Sequence, residues 1–253
     1  MLQEPFAVGN SILHRIDPRM RIAAATVYSV IVALSRHFPT LATAVGASLA
    51  LIMLAKLRPR DVVIRLIIVN SFTLLLWLVL PLTFQGSVAI SIGPLSVYHS
   101  GLIMSAQITL KSNAILMALM ALIATMTLST LGSALNRLHL PDKIVHLLLM
   151  TYRYIFVIEQ EFQRLMRAAQ IRGFRPGTNL HTYKTYAYIV GMLFVRSALR
   201  ADRVYKAMLC RGFKRKFYCL HQFRTGKEEW LFGTAMGVAV MVLIYLEWLK
   251  AGV

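Results

Sequence analysis

Negative charge is what this sequence has least of. Ten Asp and Glu residues stand against 28 Lys and Arg in 253 residues, giving a net charge of +18. So few carboxylates leave no pair spaced for general acid–base work, and no nucleophile elbow or Ser/His/Asp spacing accompanies them. Cysteine is nearly as scarce. Cys210 and Cys219 exclude a disulfide framework, and their spacing without neighbouring ligands excludes a zinc cage, so both are read as reduced thiols. The seven histidines are scattered; only His139, Asp142 and His146 form a local group, too few for a metal cage and better suited to a helix start and its packing. Arg224-Thr225-Gly226-Lys227 resembles a phosphate loop, yet His221 stands where that motif needs glycine and Glu228 where it needs Ser or Thr. Met1 to Asn10 lacks the charged and apolar regions of a cleavable leader. The chain is expected to catalyse nothing by itself, with no catalytic residue, metal or cofactor.

Apolar residues are abundant. They make up 57% of the chain against 15% charged, with a mean hydropathy of +0.62, more apolar material than a soluble domain of this size carries. A pI near 10.5 would suggest nucleic acid in a soluble protein, so the placement of the cations decides.

Five apolar runs are long enough, with their flanks, to cross a bilayer: 22–34, 41–54, 66–84, about 102–128 and 230–249. Asp17-Pro18 suits the cap and first turn of the helix carrying the first run, with Arg19 and Arg21 on the headgroup side. Ser35 to Pro39 makes a tight hairpin of the first two runs, and Gln85 to Ser100 reads as a polar loop. Lys111 is the one cation well inside a run; it can be a gate or counter-ion, or it can snorkel to the headgroups, and the second reading is preferred. Trp230 and Trp248 suit interfacial anchors.

With spans alternating, 25 of the 28 cations fall on one side, and only Arg36, Lys111 and Lys250 fall elsewhere. That positive-inside bias predicts a cytoplasmic N-terminus and accounts for the pI without nucleic acid, leaving some charge for anionic lipid. The fold class expected is all-α: a polytopic membrane protein of about five spans with a cytoplasmic helical region. Its organisation reads as a transmembrane region of four spans at 1–130, a cytoplasmic or inner-leaflet region at 131–228, and a last span at 229–253. Within the middle region, the runs 144–158 and 187–195 are broken or short and are expected to pack at the inner leaflet.

That middle region contains one pattern twice. Ala168-Ala169-Gln170-Ile171-Arg172-Gly173-Phe174 is matched 39 residues later by Ala207-Met208-Leu209-Cys210-Arg211-Gly212-Phe213. Read as helix ends, Glu161, Arg164, Ala168 and Arg172 share one stripe, and Arg200, Arg203, Ala207 and Arg211 share its equivalent. Each stripe closes on an arginine beside a glycine able to take the left-handed conformation that stops a helix, with a small alanine one turn earlier leaving room for another backbone. Phe162, Leu165, Met166 and Ala169 supply the apolar face of the first helix, and Tyr205, Met208 and Leu209 that of the second. The pair reads as a docking surface built in duplicate.

The opening Leu13-His14-Arg15-Ile16-Asp17-Pro18-Arg19, the Leu140-Pro141 helix start, Tyr152-Arg153-Tyr154, Glu161 and above all the two Arg-Gly endings carry a resemblance. The chain resembles, over almost its whole length, the transmembrane coupling subunit of energy-coupling-factor transporters, with the CbiQ type of cobalt uptake systems as the nearest subgroup. Family members usually place alanine before each Arg-Gly, where this chain has Ile171 and Cys210. The resemblance implies a bacterial inner-membrane protein that links two cytoplasmic ATPase subunits to a separate substrate-binding membrane subunit. Its two long coupling helices would present Arg172, Gly173, Arg211 and Gly212, with Ala168 and Ala207, to the ATPases. It implies cobalt as the substrate of the whole system, with nickel or a vitamin as alternatives; a self-sufficient carrier is the runner-up, for which Lys111 is the only supporting residue. A membrane enzyme would need a nucleophile beside Tyr152, Arg153, Glu159 and Glu161, and none is there.

Overall fold

The computed structural model describes residues 11, 13, 16–83, 88–92, 95–138, 140–213 and 227–251. Helices carry the fold: α1 (Pro18–Leu34), α2 (Phe38–Ala55), α3 (Pro59–Thr83), α4 (His99–Leu122), α5 (Leu128–Arg137), α6 (Asp142–Ile171), α7 (Leu180–Cys210) and α8 (Lys227–Ala251). The described residues divide into two compact units. One holds the residues from Gly132 to α7 and its cap; the other holds α1 to α4 and α8.

In the second unit, Phe38–Ala55, Pro59–Thr83, His99–Leu122 and Glu229–Leu249 are long and apolar enough to cross a membrane. The first expected span is carried by α1, whose 17 residues sit at the short end of spanning length. It begins as its sequence dictates, with Pro18 in the first turn and the Asp17 carboxylate accepting from the Arg19 amide at 2.9 Å.

The core of this unit is made of small side chains. Ala25, Tyr28 and Val32 of α1 pack with Leu41 and Ala44 of α2, Ala114, Ala118 and Ala121 of α4, and Met236 and Leu243 of α8. Among helices bathed in lipid no hydrophobic effect separates one apolar face from another, so close backbone approach through small residues supplies the packing. The Tyr28 hydroxyl donates to the Ala44 carbonyl at 2.6 Å in this core. Tyr28→Phe is expected to cost about 1 kcal/mol, read as an earlier thermal unfolding midpoint of the detergent-solubilised protein. Helix α3 packs on α4 through Val62, Met117 and Met120, while Ile67, Ile68, Phe72, Leu74, Leu75 and Leu78 stay exposed, the surface a lipid-facing helix presents.

Four sequence expectations change here. The loop after α3 contains an antiparallel hairpin, β1 (Val88–Ile92) paired with β2 (Leu95–Tyr98), with Ile92 opposite Leu95, Ile90 opposite Val97 and an irregularity before Val88 meets Tyr98. The Gly and Ser content masked the alternation of Val88, Ile90 and Ile92. The run expected to 128 ends as a helix at Leu122, and the chain turns through 123–127 before α5, which Thr127 caps by accepting from the Thr130 amide at 3.3 Å. Arg21 does not face headgroups. It is 2% exposed and its guanidinium donates to the Thr125 hydroxyl, which itself donates to the Ala121 carbonyl at 2.8 Å, placing a cation where the last carbonyls of α4 lack partners. Lys111, finally, has a protein partner that the sequence did not indicate: its Nζ donates to the Ala33 carbonyl at 2.9 Å, and one turn away Gln107 Nε2 donates to the Arg36 carbonyl at 2.7 Å. Both satisfy the C-terminal end of α1, and the Glu247 carboxylate accepts from the Arg36 amide at 2.7 Å to complete the tie.

Candidate functional site

Helices α6 and α7 are single long rods of 30 and 31 residues. The broken runs 144–158 and 187–195 are segments of these rods, because amphipathic helical periodicity continues through the polar residues that interrupt the apolar count. Pro141 and Asp142 begin α6 as the sequence suggests.

Both rods end in the same way. Beyond α6, the Phe174 amide donates to the Ala169 carbonyl at 3.1 Å and the Gly173 amide to the Gln170 carbonyl at 3.0 Å. Beyond α7, the Phe213 amide donates to the Met208 carbonyl at 3.1 Å and the Gly212 amide to the Leu209 carbonyl at 2.9 Å. These are two complete Schellman closures. Gly173 has φ +85° and Gly212 has φ +73°, left-handed values that an L side chain rarely adopts. Arg172 and Arg211 each occupy the cap position, exposed, with Ala168 and Ala207 exposed one turn earlier on the same stripe. The glycine thus does two things: it closes the helix, and it leaves the guanidinium beside it standing clear of the helix end.

The two rods run antiparallel. Phe174 meets Tyr186 edge-on with ring centroids 5.7 Å apart and lies 6.5 Å from His181 at one end; Glu161 meets Arg196 and Arg200 midway; His146 stacks on Phe213 at 5.7 Å at the other end. Arg172 and Arg211 therefore lie at opposite ends of the hairpin, roughly 40 Å apart at 1.5 Å of rise per residue. Between Glu161 and the His146–Phe213 contact the rods flank a mostly apolar, half-open cleft of about 700 Å³, lined by Leu147, Met150, Val204 and Met208 among others. Met208 turns toward it as expected, whereas Leu209 is half exposed and Tyr205 combines cleft lining with exposure.

Glu161 pairs with Arg164 of its own stripe and also reaches across to Arg200 of the other. Glu161 is 9% exposed, takes a hydrogen bond from Arg196, and lies 3.8 Å from Arg200 and 3.5 Å from Arg164. The Arg196 hydrogen bond, and then the charges of Arg196, Arg164 and Arg200, hold its carboxyl below the usual carboxylate range against the opposing effect of burial. Arg196 escaped sequence reasoning because it lies outside the repeated motif; the cue available was the mid-helix carboxylate pair Glu159 and Glu161 on a helix whose partner is rich in arginine.

A folded carboxyl that holds its proton more weakly than an unfolded one stabilises fully above the unfolded value near about 4.3 and loses that contribution as pH falls through its lowered folded value. Thermal unfolding of the hairpin unit is therefore expected to be insensitive to this group from pH 8 to 5 and to weaken below about 4. Glu161→Gln should remove that acid-side slope, measured as the unfolding midpoint against pH.

Among the described residues no group of three His, Cys, Asp or Glu side chains is placed to hold a metal ion. Asp142 accepts from Asn136 at 2.7 Å, and His146 is stacked on Phe213; His139 and Cys219 lie outside the described residues, as do His14, Arg15 and the 224–226 segment. Cys210 is an exposed free thiol beside the second arginine.

The family model described as the cobalt transport protein CbiQ matches residues 9–219, a stretch that contains both Arg-Gly closures. The chain belongs to the CbiQ family. CbiQ-family likeness extends to curated relatives over nearly the full length: the energy-coupling factor transporter transmembrane protein of Acidaminococcus fermentans is 27% identical across 95% of this chain and 94% of its own. The proteins of that description from Listeria innocua, 27% identical over 85% of each chain, and Bacillus subtilis, 25% identical over 85% of each, are similar too.

Proposed function

We propose that this protein is the transmembrane coupling subunit of an ATP-driven energy-coupling-factor importer for cobalt ions. The observation that carries the reading is the pair of matched Arg-Gly closures set roughly 40 Å apart at the two ends of one helical hairpin, in a CbiQ-family chain. Two identical ends far apart suit two separate ATPase subunits. Arg172 and Arg211 each offer a planar fork that can bond a carboxylate twice, and Gly173, Gly212, Ala168 and Ala207 let the partner's backbone come close. When ATP draws the ATPases together, the hairpin transmits the motion to a substrate-binding membrane subunit seated on the bilayer side. The chain hydrolyses nothing itself; ATP is turned over in the partner.

The strong positive-inside bias supports an inner-membrane protein with a cytoplasmic N-terminus and with the hairpin on the cytoplasmic side, where ATP is. Residues 1–130 and 229–253 then form the membrane region and 131–228 the coupling region. A self-sufficient carrier loses its one supporting residue, because Lys111 is engaged with the end of α1. Cobalt rests on the family's description, with nickel or a vitamin as the competing substrates.

Co-reconstitution with the ATPases and substrate subunit of the source organism, followed by uptake of radiolabelled cobalt against nickel, tests the assignment. ATP-dependent cobalt uptake is the expected result; uptake of nickel alone would move the substrate, and ATP hydrolysis or transport by this chain unaided would end the reading.

A further inference from the structure

We propose that Glu161 is a positioning residue for coupling, the pivot that fixes how the Arg211 arm of the hairpin stands relative to the Arg172 arm. The inference rests on the coupling reading above. Three observations lead to it. First, Glu161 is the one carboxylate among the described residues that bridges α6 to α7: Asp202 of α7 pairs within its own helix with Lys206 at 2.7 Å, and Asp142 is taken by Asn136. Second, it stands at the boundary between two differently packed halves. On the side leading to Gly173, Phe174 is 9% exposed and packs edge-on against Tyr186. On the side leading to Gly212 the rods part around the half-open 700 Å³ cleft, and the arm carrying Arg211 is held at its tip by the stacking of Phe213 on His146. An arm over a cleft has room to swing, and Glu161 is the point it swings from.

Third, the charge arithmetic makes the contact switch-like. One carboxylate holds three guanidiniums, from Arg164, Arg196 and Arg200. Removing its charge subtracts the attraction and leaves Arg164 of α6 facing Arg196 and Arg200 of α7, two effects of the same sign that both push α7 from α6. The substitution should therefore uncouple the arms without touching either arginine end.

The test uses the full chain in nanodiscs and in the reconstituted complex. Spin labels on Cys210 and at Gln170→Cys, with Cys219→Ser, should give one narrow distance near roughly 40 Å, and Glu161→Gln should broaden or shift it. In the complex, Glu161→Gln should keep the ATPases bound and hydrolysing with an unchanged KM for ATP while uptake falls by roughly tenfold or more, a change equal to losing a modest charge pair. Glu161→Asp should recover part of it. The exchange Glu161→Arg with Arg196→Glu re-forms a cross-helix pair and should restore both distance and uptake, which a merely misfolded hairpin would not. Wild-type distance and uptake in Glu161→Gln would overturn the pivot, as would failure of the exchange to restore either one. ATPases that stay bound and productive when Arg172 and Arg211 are both replaced would instead overturn the coupling reading, and the spin-label arm would still decide whether Glu161 sets the hairpin.

Discussion

The double variant Arg172→Ala/Arg211→Ala is expected to reach the membrane in wild-type amounts and to support no substrate uptake. Both side chains are exposed at helix caps, so their removal leaves no cavity and orphans no buried group in this chain. Surface substitutions of that kind usually move stability by no more than about 0.5 kcal/mol. The closures survive, because their hydrogen bonds are made by backbone amides and the left-handed turn by Gly173 and Gly212. On the proposed coupling reading, what is lost is the partner's side of the contact: an acidic group desolvated against a guanidinium and then deprived of it would cost about 2–5 kcal/mol, and two such losses would exceed what a transient interface can absorb. Each single variant should weaken retention of the ATPases in a pull-down. The two should differ, because Phe174 is seated on Tyr186 while Phe213 is held only half-buried against His146 over the cleft. Uptake at the wild-type rate by the double variant would exclude these arginines from coupling.

The repeated motif was legible in the sequence because it is local. A cap arginine, a left-handed glycine and the carbonyls that the following amides reach all lie within six residues, so spacing alone specifies the closure at Gly173 and at Gly212. Asp17-Pro18 was legible for the same reason. What stayed hidden is contact across sequence distance. Nothing near Lys111 indicates that it serves the end of α1, since Ala33 lies 78 positions away, and nothing near Arg21 points to Thr125, 104 positions on. Both sit where a helix end has spare carbonyls, and that need becomes visible only once the helices are assembled. Glu161 shows the same limit from the other direction: its stripe with Arg164 on α6 was legible, but its partners Arg196 and Arg200 on α7 were not. The hairpin of β1 and β2 was lost to composition, and the end of α4 to an apolar run that continues past its last helical turn.

Gly101→Ala is expected to destabilise the membrane unit more than any other single methyl group added to it at a helical glycine. A Cβ there would lie 2.6 Å from the Leu80 carbonyl oxygen, 2.7 Å from Pro81 Cα and 2.9 Å from the Leu80 carbonyl carbon. All three are backbone atoms of α3, so no side chain can rotate aside; the helices must separate. Pro81 supplies one of these atoms: inside α3 it has no amide to donate and its ring crowds the carbonyl one turn back, so the α3 backbone here is poorly able to readjust. Gly101 and the buried Ser105 one turn later on α4 present the small surface that accepts it. Separation would also draw Trp77 from Thr109, whose hydroxyl accepts its indole N–H at 2.9 Å. Overpacking of this kind costs about 1–3 kcal/mol, or a fall of about 2–4 °C in the unfolding midpoint for each kcal/mol in a chain of this size. Gly46→Ala in α2 supplies the contrast: nothing lies within 4 Å of its added carbon, and removing glycine's backbone freedom from a helix should leave stability level or raise it by about 0.5–1 kcal/mol. Equal midpoints for the two variants would mean that α3 and α4 are not in backbone contact at Gly101.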